Sequence, residues 1–301
     1  RVAVDAVRAW IDPVLEISND VDFSTGNVDF GGALLIRGGV KDRFTVRCTG
    51  DTSVGGLIES ATLLIGGDLY CHSGMAAKER GMLVVDGDCE VSYLNQARGR
   101  IRGTLTCRRE LIESELVVGG DLLVDRGAIV GGTSVVTGRV RASVFGSGAG
   151  APTRLVLGEV PLETRAVRRL REMASELERE IASEDARIEA LAASGAPDDE
   201  LEALRAGQRG RRVRHEAMQR KDLEILRRIK HGRRICLRIE RRIHHRAIVG
   251  VRGREYEFEE DQRGPIEILA DDRGEPVVRV RGADPRPLLD LTRLVQRAIA
   301  V

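Results

Sequence analysis

The chain has 301 residues, enough for one long domain or two ordinary ones. Its 48 basic and 47 acidic residues nearly cancel, so charge singles out neither a nucleic acid nor a membrane as partner, and no apolar run approaches the roughly 20 residues that a membrane span needs. Aromatic residues are only 3% and glycines number 34, well above the usual share of about 7%, a composition that suits tight turns around small aliphatic side chains rather than a core of large ones.

The sequence opens on Arg1 rather than Met, which leads us to expect an upstream domain joined by a connector over residues 1–16. No signal peptide is visible. The five cysteines (Cys48, Cys71, Cys89, Cys107, Cys236) are odd in number and form no CxxC pair. That argues against a disulfide framework or a structural zinc site and favours a reducing cytoplasm.

From residue 17 to about 160 the chain repeats itself. The phrase Gly-Asp-apolar-x-apolar occurs at Gly67-Asp68-Leu69, Gly87-Asp88-Cys89 and Gly120-Asp121-Leu122, with weaker copies at Gly50-Asp51 and Gly103-Thr104. A second phrase, Leu57-Ile58-Glu59-Ser60, returns as Tyr93-Leu94-Asn95-Gln96 and Leu111-Ile112-Glu113-Ser114. Between glycines, apolar and polar residues alternate with the period of a strand. Short strands recurring every 16 to 20 residues are the turns of a β-solenoid, each of which buries its apolar side only by stacking on its neighbours. The spacing predicts two inward columns: Val54, Cys71, Val91, Cys107, Val124 and Leu69, Cys89, Leu105, Leu122. The same alignment stacks Asp51, Asp68, Asp88 and Asp121, either as a cation-binding column or as carboxylates bonding the backbone of their own turns.

Near Gly158 the period becomes helical. Val167, Leu170, Ala174, Leu177, Ile181, Ile188 and Leu191 keep a 3-4 spacing, broken at Glu184. Ser194 to Asp199 reads as a turn, and a second helix is predicted over about 200–230, with its seam interrupted at Gly207 and Gly210. The expectation is an antiparallel coiled-coil hairpin over 161–232. Its second helix crowds Arg205, Arg209, Arg211, Arg212 and Arg214, either an anion or partner contact or the ion-pairing mates of the acidic first helix. Alternation then returns over 233–282, as chain rejoining the β-structure. His244-His245 lies in that stretch, and adjacent strand positions would point the two rings apart. Residues 283–301 read as a final amphipathic helix.

The residues also resemble a family. Val21-Asp22-Phe23-Ser24-Thr25-Gly26-Asn27-Val28-Asp29-Phe30-Gly31-Gly32, with Asp12-Pro13-Val14-Leu15 before it, is similar to the "DVDYSTGNIDFDG" phrase of the flagellar assembly protein A family. Phe145-Gly146-Ser147, then Ala151-Pro152-Thr153 and Leu155-Val156-Leu157-Gly158, resembles that family's entry into its coiled coil. Further on, His245-Arg246 stands where the family carries Pro-Gly. The resemblance covers about residues 12 to 282, and it makes Ser24, Thr25, Gly26, Asn27, Pro152 and Thr153 signature positions of structural kind. It implies a cytoplasmic bacterial protein, associated in some members with flagellar biogenesis and so with the cell pole, without established enzymatic activity, cofactor or metal.

The resulting expectation is a mainly β protein with an α insertion: a right-handed parallel β-helix plus the helical hairpin. It acts as a non-enzymatic scaffold through protein partners and as a homo-oligomer, most simply a dimer. Two other classes stay open. One is a β-helical carbohydrate-active enzyme, disfavoured by the scarcity of aromatics to grip sugars. The other is a nucleic-acid or other anionic-polymer binder working through the hairpin arginines.

Overall fold

The computed structural model describes residues 2–4, 9–11, 14–158, 163–194, 197, most of 201–220, 236–270 and 275–295. The chain divides into two compact units, residues 1–159 with 232–301, and residues 160–231.

The first unit is a β-solenoid of about eight turns. Its strands stack in parallel at the step set by the corner glycines: Thr52 pairs with Leu69, Leu69 with Cys89, Cys89 with Leu105, and Leu105 with Leu122. A turn has three faces. Leu69–Cys71, Gly74–Ala76 and Met82–Val85 form one such turn. Alternation decides which side chains enter. Val54, Cys71, Val91, Cys107 and Val124 are wholly buried, as are Leu105 and Leu122, with Leu69 and Cys89 at 1%. Both columns are therefore as predicted, and small side chains fill them because the interior between three faces is narrow.

One part of the repeat alignment is corrected. The second phrase stacks Ile58 on Met75, Met75 on Leu94 and Leu94 on Leu111. The Leu111 copy thus slips by one residue from the sequence alignment. In a strand such a slip exchanges inside for outside, and the buried column Ile58, Met75, Leu94, Leu111 fixes the choice.

The solenoid begins at Val14, not at 17: Val14–Ile17 pairs in parallel with Ala33–Ile36. After Leu157 the chain leaves and re-enters. Cys236–Ile243 pairs in parallel with Val140–Phe145, and Ala247–Val251 with Thr153–Leu157. Antiparallel strands then cover this last turn. Ile266–Ala270 lies on Cys236–Ile243, and Arg254–Phe258 lies on Ala247–Val251.

The helix expected at 283–301 is not formed over its described part. Leu288–Leu291 is a single 3-10 turn, and Thr292–Val295 is a strand against Arg254–Phe258. The fully buried Leu288 and the free edge of Arg254–Phe258 override the helical spacing, since a sheet edge offers hydrogen bonds that an isolated short helix lacks. Residues 296–301 lie outside the described residues.

The second unit contains a helix over Glu163–Ala193, and the described residues within 201–220 are helical too. Leu177, Ile188 and Leu201 are buried. Glu184, which breaks the apolar spacing, meets Arg211 at 2.8 Å. Asp185 meets Arg212 at 2.8 Å and accepts a hydrogen bond from the buried Gln208 at 2.7 Å. The interruption of the seam is thus a polar cross-link between the two helical segments. Most of the expected hairpin turn, together with residues 221–235, lies outside the described residues.

Candidate functional site

The repeated aspartates explain themselves once the turns are stacked. Asp51 Oδ1 accepts the backbone N–H of Asp68 at 2.9 Å, Asp68 that of Asp88 at 2.7 Å, Asp88 that of Thr104 at 2.7 Å, and Asp121 that of Arg139 at 2.8 Å. Each carboxylate therefore bonds the following turn rather than its own, which corrects the within-turn reading. The corner between the second and third faces uses the same device in the early turns: Asn27 accepts from the Thr45 amide and Asp42 from the Ser60 amide, both at 2.8 Å.

The other signature positions serve local structure. Asp22 Oδ1 accepts from both the amide and the hydroxyl of Ser24, at 2.8 and 2.6 Å, and the Ser24 hydroxyl holds the Asp22 carboxyl below the usual range. Thr25 Oγ1 donates to the Asp20 carbonyl at 2.9 Å, and Gly26 turns the chain at φ +76°. Thr153 is fully buried; its hydroxyl accepts from the Gly131 amide at 2.8 Å and donates to the Ala151 carbonyl at 3.0 Å. Pro152 is exposed beside it.

Cys48, Cys71, Cys89 and Cys107 are buried thiols. Burial pushes Cys71 and Cys107 up to about 11 and Cys89 higher still. Cys236 is only half-buried, so it does not share the dry interior of the other four.

The two histidines do not point apart. The strand ends at Ile243, so His244 and His245 lie in the turn to Ala247. Both rings converge on Asp261: His244 Nδ1 lies 3.0 Å from Oδ2, and His245 Nδ1 lies 2.9 Å from Oδ1. The His245 amide donates to Oδ1 as well, at 2.9 Å, and is the main reason the Asp261 carboxyl is held down at about 2.

Of the five helical arginines singled out from the sequence, Arg211 and Arg212 pair with Glu184 and Asp185, and Arg205 is exposed. Arg209 and Arg214 lie outside the described residues.

A groove that sequence reading missed arises where one corner changes length from turn to turn. Between the first and second faces stand His72-Ser73, then Ser92 alone, then Arg108-Arg109, then Asp125-Arg126-Gly127. The one-residue corner at Ser92 is shorter than the corners of the turns on either side. The result is an open groove of about 940 Å³ that reaches from Leu57 to Gly127. Arg108 lies across it. Its Nη2 donates to the His72 carbonyl at 3.0 Å, two turns away, and its guanidinium lies 5.7 Å from the Tyr70 ring centroid. Tyr93 lines the floor, with its ring directly on Gly74, where any Cβ would collide with it. Of the three tyrosines, Tyr93 thus lines this corner and Tyr70 meets its Arg108 from the strand Leu69–Cys71. Arg109 and Arg126 are exposed and make no ion pair among the described residues. The signal in the sequence was the mismatch between the spacings of the two repeated phrases, which places length changes at the corner between them.

The fold and its corner ladders define a β-solenoid protein with a helical insertion. The chain belongs to the flagellar assembly protein A family: the description "Flagellar Assembly Protein A beta solenoid domain" matches residues 13–275. No curated protein and no solved structure matches it.

Proposed function

We propose that this protein is a non-enzymatic scaffold in flagellar assembly, acting through protein contacts made by a stiff solenoid. The observation that carries the reading is the core itself, one continuous cluster that includes residues from Val21 to Val251 in every turn of the solenoid. Such a stack deforms little and presents long faces at fixed spacing, which suits holding partners rather than closing on a substrate. We read the winding as right-handed. We read the second unit as an antiparallel coiled coil, supported by the Glu184–Arg211 and Asp185–Arg212 pairs and the buried Leu177, Ile188 and Leu201. No described helix is long and apolar enough to cross a membrane. In a flagellated bacterium that encodes this chain, its removal is expected to reduce or misplace flagella, with recovery on re-expression. Unchanged number and position of flagella would overturn the proposal.

One observation favours a carbohydrate-active enzyme: Glu110 and Asp125 both line the groove that holds Tyr93. Both are exposed, however, and a general acid needs a carboxyl shielded from water to hold its proton near neutral pH. Turnover of acidic polysaccharides, lost on Glu110→Gln or Asp125→Asn, would establish it instead. The anionic-polymer reading has less support, because Arg211 and Arg212 are already engaged by acids. Salt-sensitive binding of nucleic acid, lost on charge reversal at Arg209, Arg211 and Arg212, would restore it.

A further inference from the structure

We propose that the groove at the Ser92 corner is the docking site for an extended acidic peptide segment of a protein partner. The inference rests on the scaffold reading and names the chemistry of what the scaffold holds.

The shape of the groove suits an extended chain. The groove crosses five turns, from that of Leu57 to that of Gly127. Four steps of about 4.8 Å make it about 19 Å long, the span of about six extended residues at roughly 3.3 Å each. It is open to solvent, so a strand can be laid in from outside, against the Arg108 side chain that spans the Ser92 corner.

The groove also holds a fixed cation. Arg108 is pinned by its Nη2 to the carbonyls of Cys71 and His72, at 3.4 and 3.0 Å, and rests on the Tyr70 ring. The one acid it pairs with among the described residues is Glu90, at a long 3.8 Å. Its buried Nε has no hydrogen-bond acceptor. A guanidinium held in place this way loses little freedom on binding a carboxylate. Arg109 and Arg126 line the same groove, are exposed and make no ion pair among the described residues, so both charges can meet a ligand's carboxylates.

The mixed charge of the lining selects the class of ligand. Glu110 and Asp125 alternate with the arginines along the groove. A polymer carrying one negative charge on every unit, such as a nucleic acid or a polyuronate, would bring like charges against both. A peptide can set carboxylates opposite the arginines and leave uncharged or basic residues opposite the acids. The hydroxyls of Ser73, Ser92 and Tyr93 suit a ligand that also carries backbone amide groups.

The test uses the full chain and three labelled probes: a peptide alternating Glu with Ser and Lys, a sulfated glycan and a single-stranded oligonucleotide. Fluorescence anisotropy is read at low and at physiological salt. The peptide is expected to bind best, weakening as salt rises. Arg109→Glu with Arg126→Glu should weaken it about tenfold or more, because both exposed charges are reversed. Arg211→Glu with Arg212→Glu should leave it unchanged. Because surface reversals at 109 and 126 leave the core columns intact, the variant's melting curve should match the parent's. No peptide binding up to about 1 mM, a Kd insensitive to the 109/126 reversal, or preference for the glycan or oligonucleotide would each overturn the proposal. The scaffold reading is tested apart from it. If removal of the whole chain disturbs flagella while the 109/126 variant supports them normally, the scaffold stands and the groove assignment falls.

Discussion

Gly67 has no side chain because the Asp51 carboxylate of the turn before occupies the place where a Cβ would stand. Asp68, next to it, reaches forward in turn to the Asp88 amide. The two halves of the Gly-Asp phrase thus answer different neighbours, one behind and one ahead. Gly87, Gly103 and Gly138 repeat the arrangement above Asp68, Asp88 and Asp121. Gly67→Ala is therefore expected to cost about 1–3 kcal/mol through overpacking. Asp68→Ala should cost about 1 kcal/mol through one lost inter-turn hydrogen bond, and Asp68→Asn less, since its amide oxygen still accepts. Urea melts of the three variants check the order. Asp261 gives a pH signature. Its folded carboxyl titrates at about 2, below the ordinary 3.8, so its contribution is fully present above about pH 4 and is lost as pH falls through 2. Asp261→Asn should flatten the difference between melts at pH 5 and pH 2; an unchanged difference would show that the His244–Asp261–His245 contact carries no stability.

At the level of the element, the thiols test the inward columns. Cys89 is wholly desolvated between Leu69 and Leu105, so Cys89→Asp buries a charge in a dry stack and should abolish cooperative unfolding or lower its midpoint sharply. At pH 8 a thiol reagent should modify the half-buried Cys236 first, with the other four protected until the chain unfolds. Equal rates would contradict the burial of the columns. These columns were legible in the sequence because apolar spacing and glycine spacing agree wherever turns have equal length. The groove was not, because it exists only where they disagree, at Ser92 and at Asp125-Arg126-Gly127. The histidine pair was misread for a related reason. Alternation continues up to Ile243, and nothing local shows that the strand ends there and that an acid seventeen residues on turns both rings toward itself. Glu184 looked like a defect because its partner Arg211 lies on another helical segment.

For the molecule as a whole, the two ends of the solenoid differ. The last turn is covered by antiparallel strands, whereas Val14–Ile17 pairs on one side only among the described residues, with Val14 49% exposed and Phe23 98% exposed. A strand edge beside exposed apolar groups can pair with a strand of a second chain, so we propose a homo-oligomer, most simply a twofold dimer. Light scattering over a tenfold concentration range checks it, and a constant mass near 33.0 kDa would refute it. If an oligomer is seen, its persistence without residues 162–232 assigns the interface to the solenoid. That deletion touches a broader property. Leu157 closes one turn and Leu237 stacks on Val140 in the next, the place that an ordinary corner reaches with Thr137, Gly138 and Arg139. The helical unit is therefore an oversized corner, and the stacked faces on either side record nothing of what was threaded between them. Replacing 158–236 by three corner residues should leave the solenoid melting within a few degrees of the parent while the helical signal disappears. A lineage building on such a chain can exchange the cargo of one corner and keep its frame, as a socket outlasts its plugs.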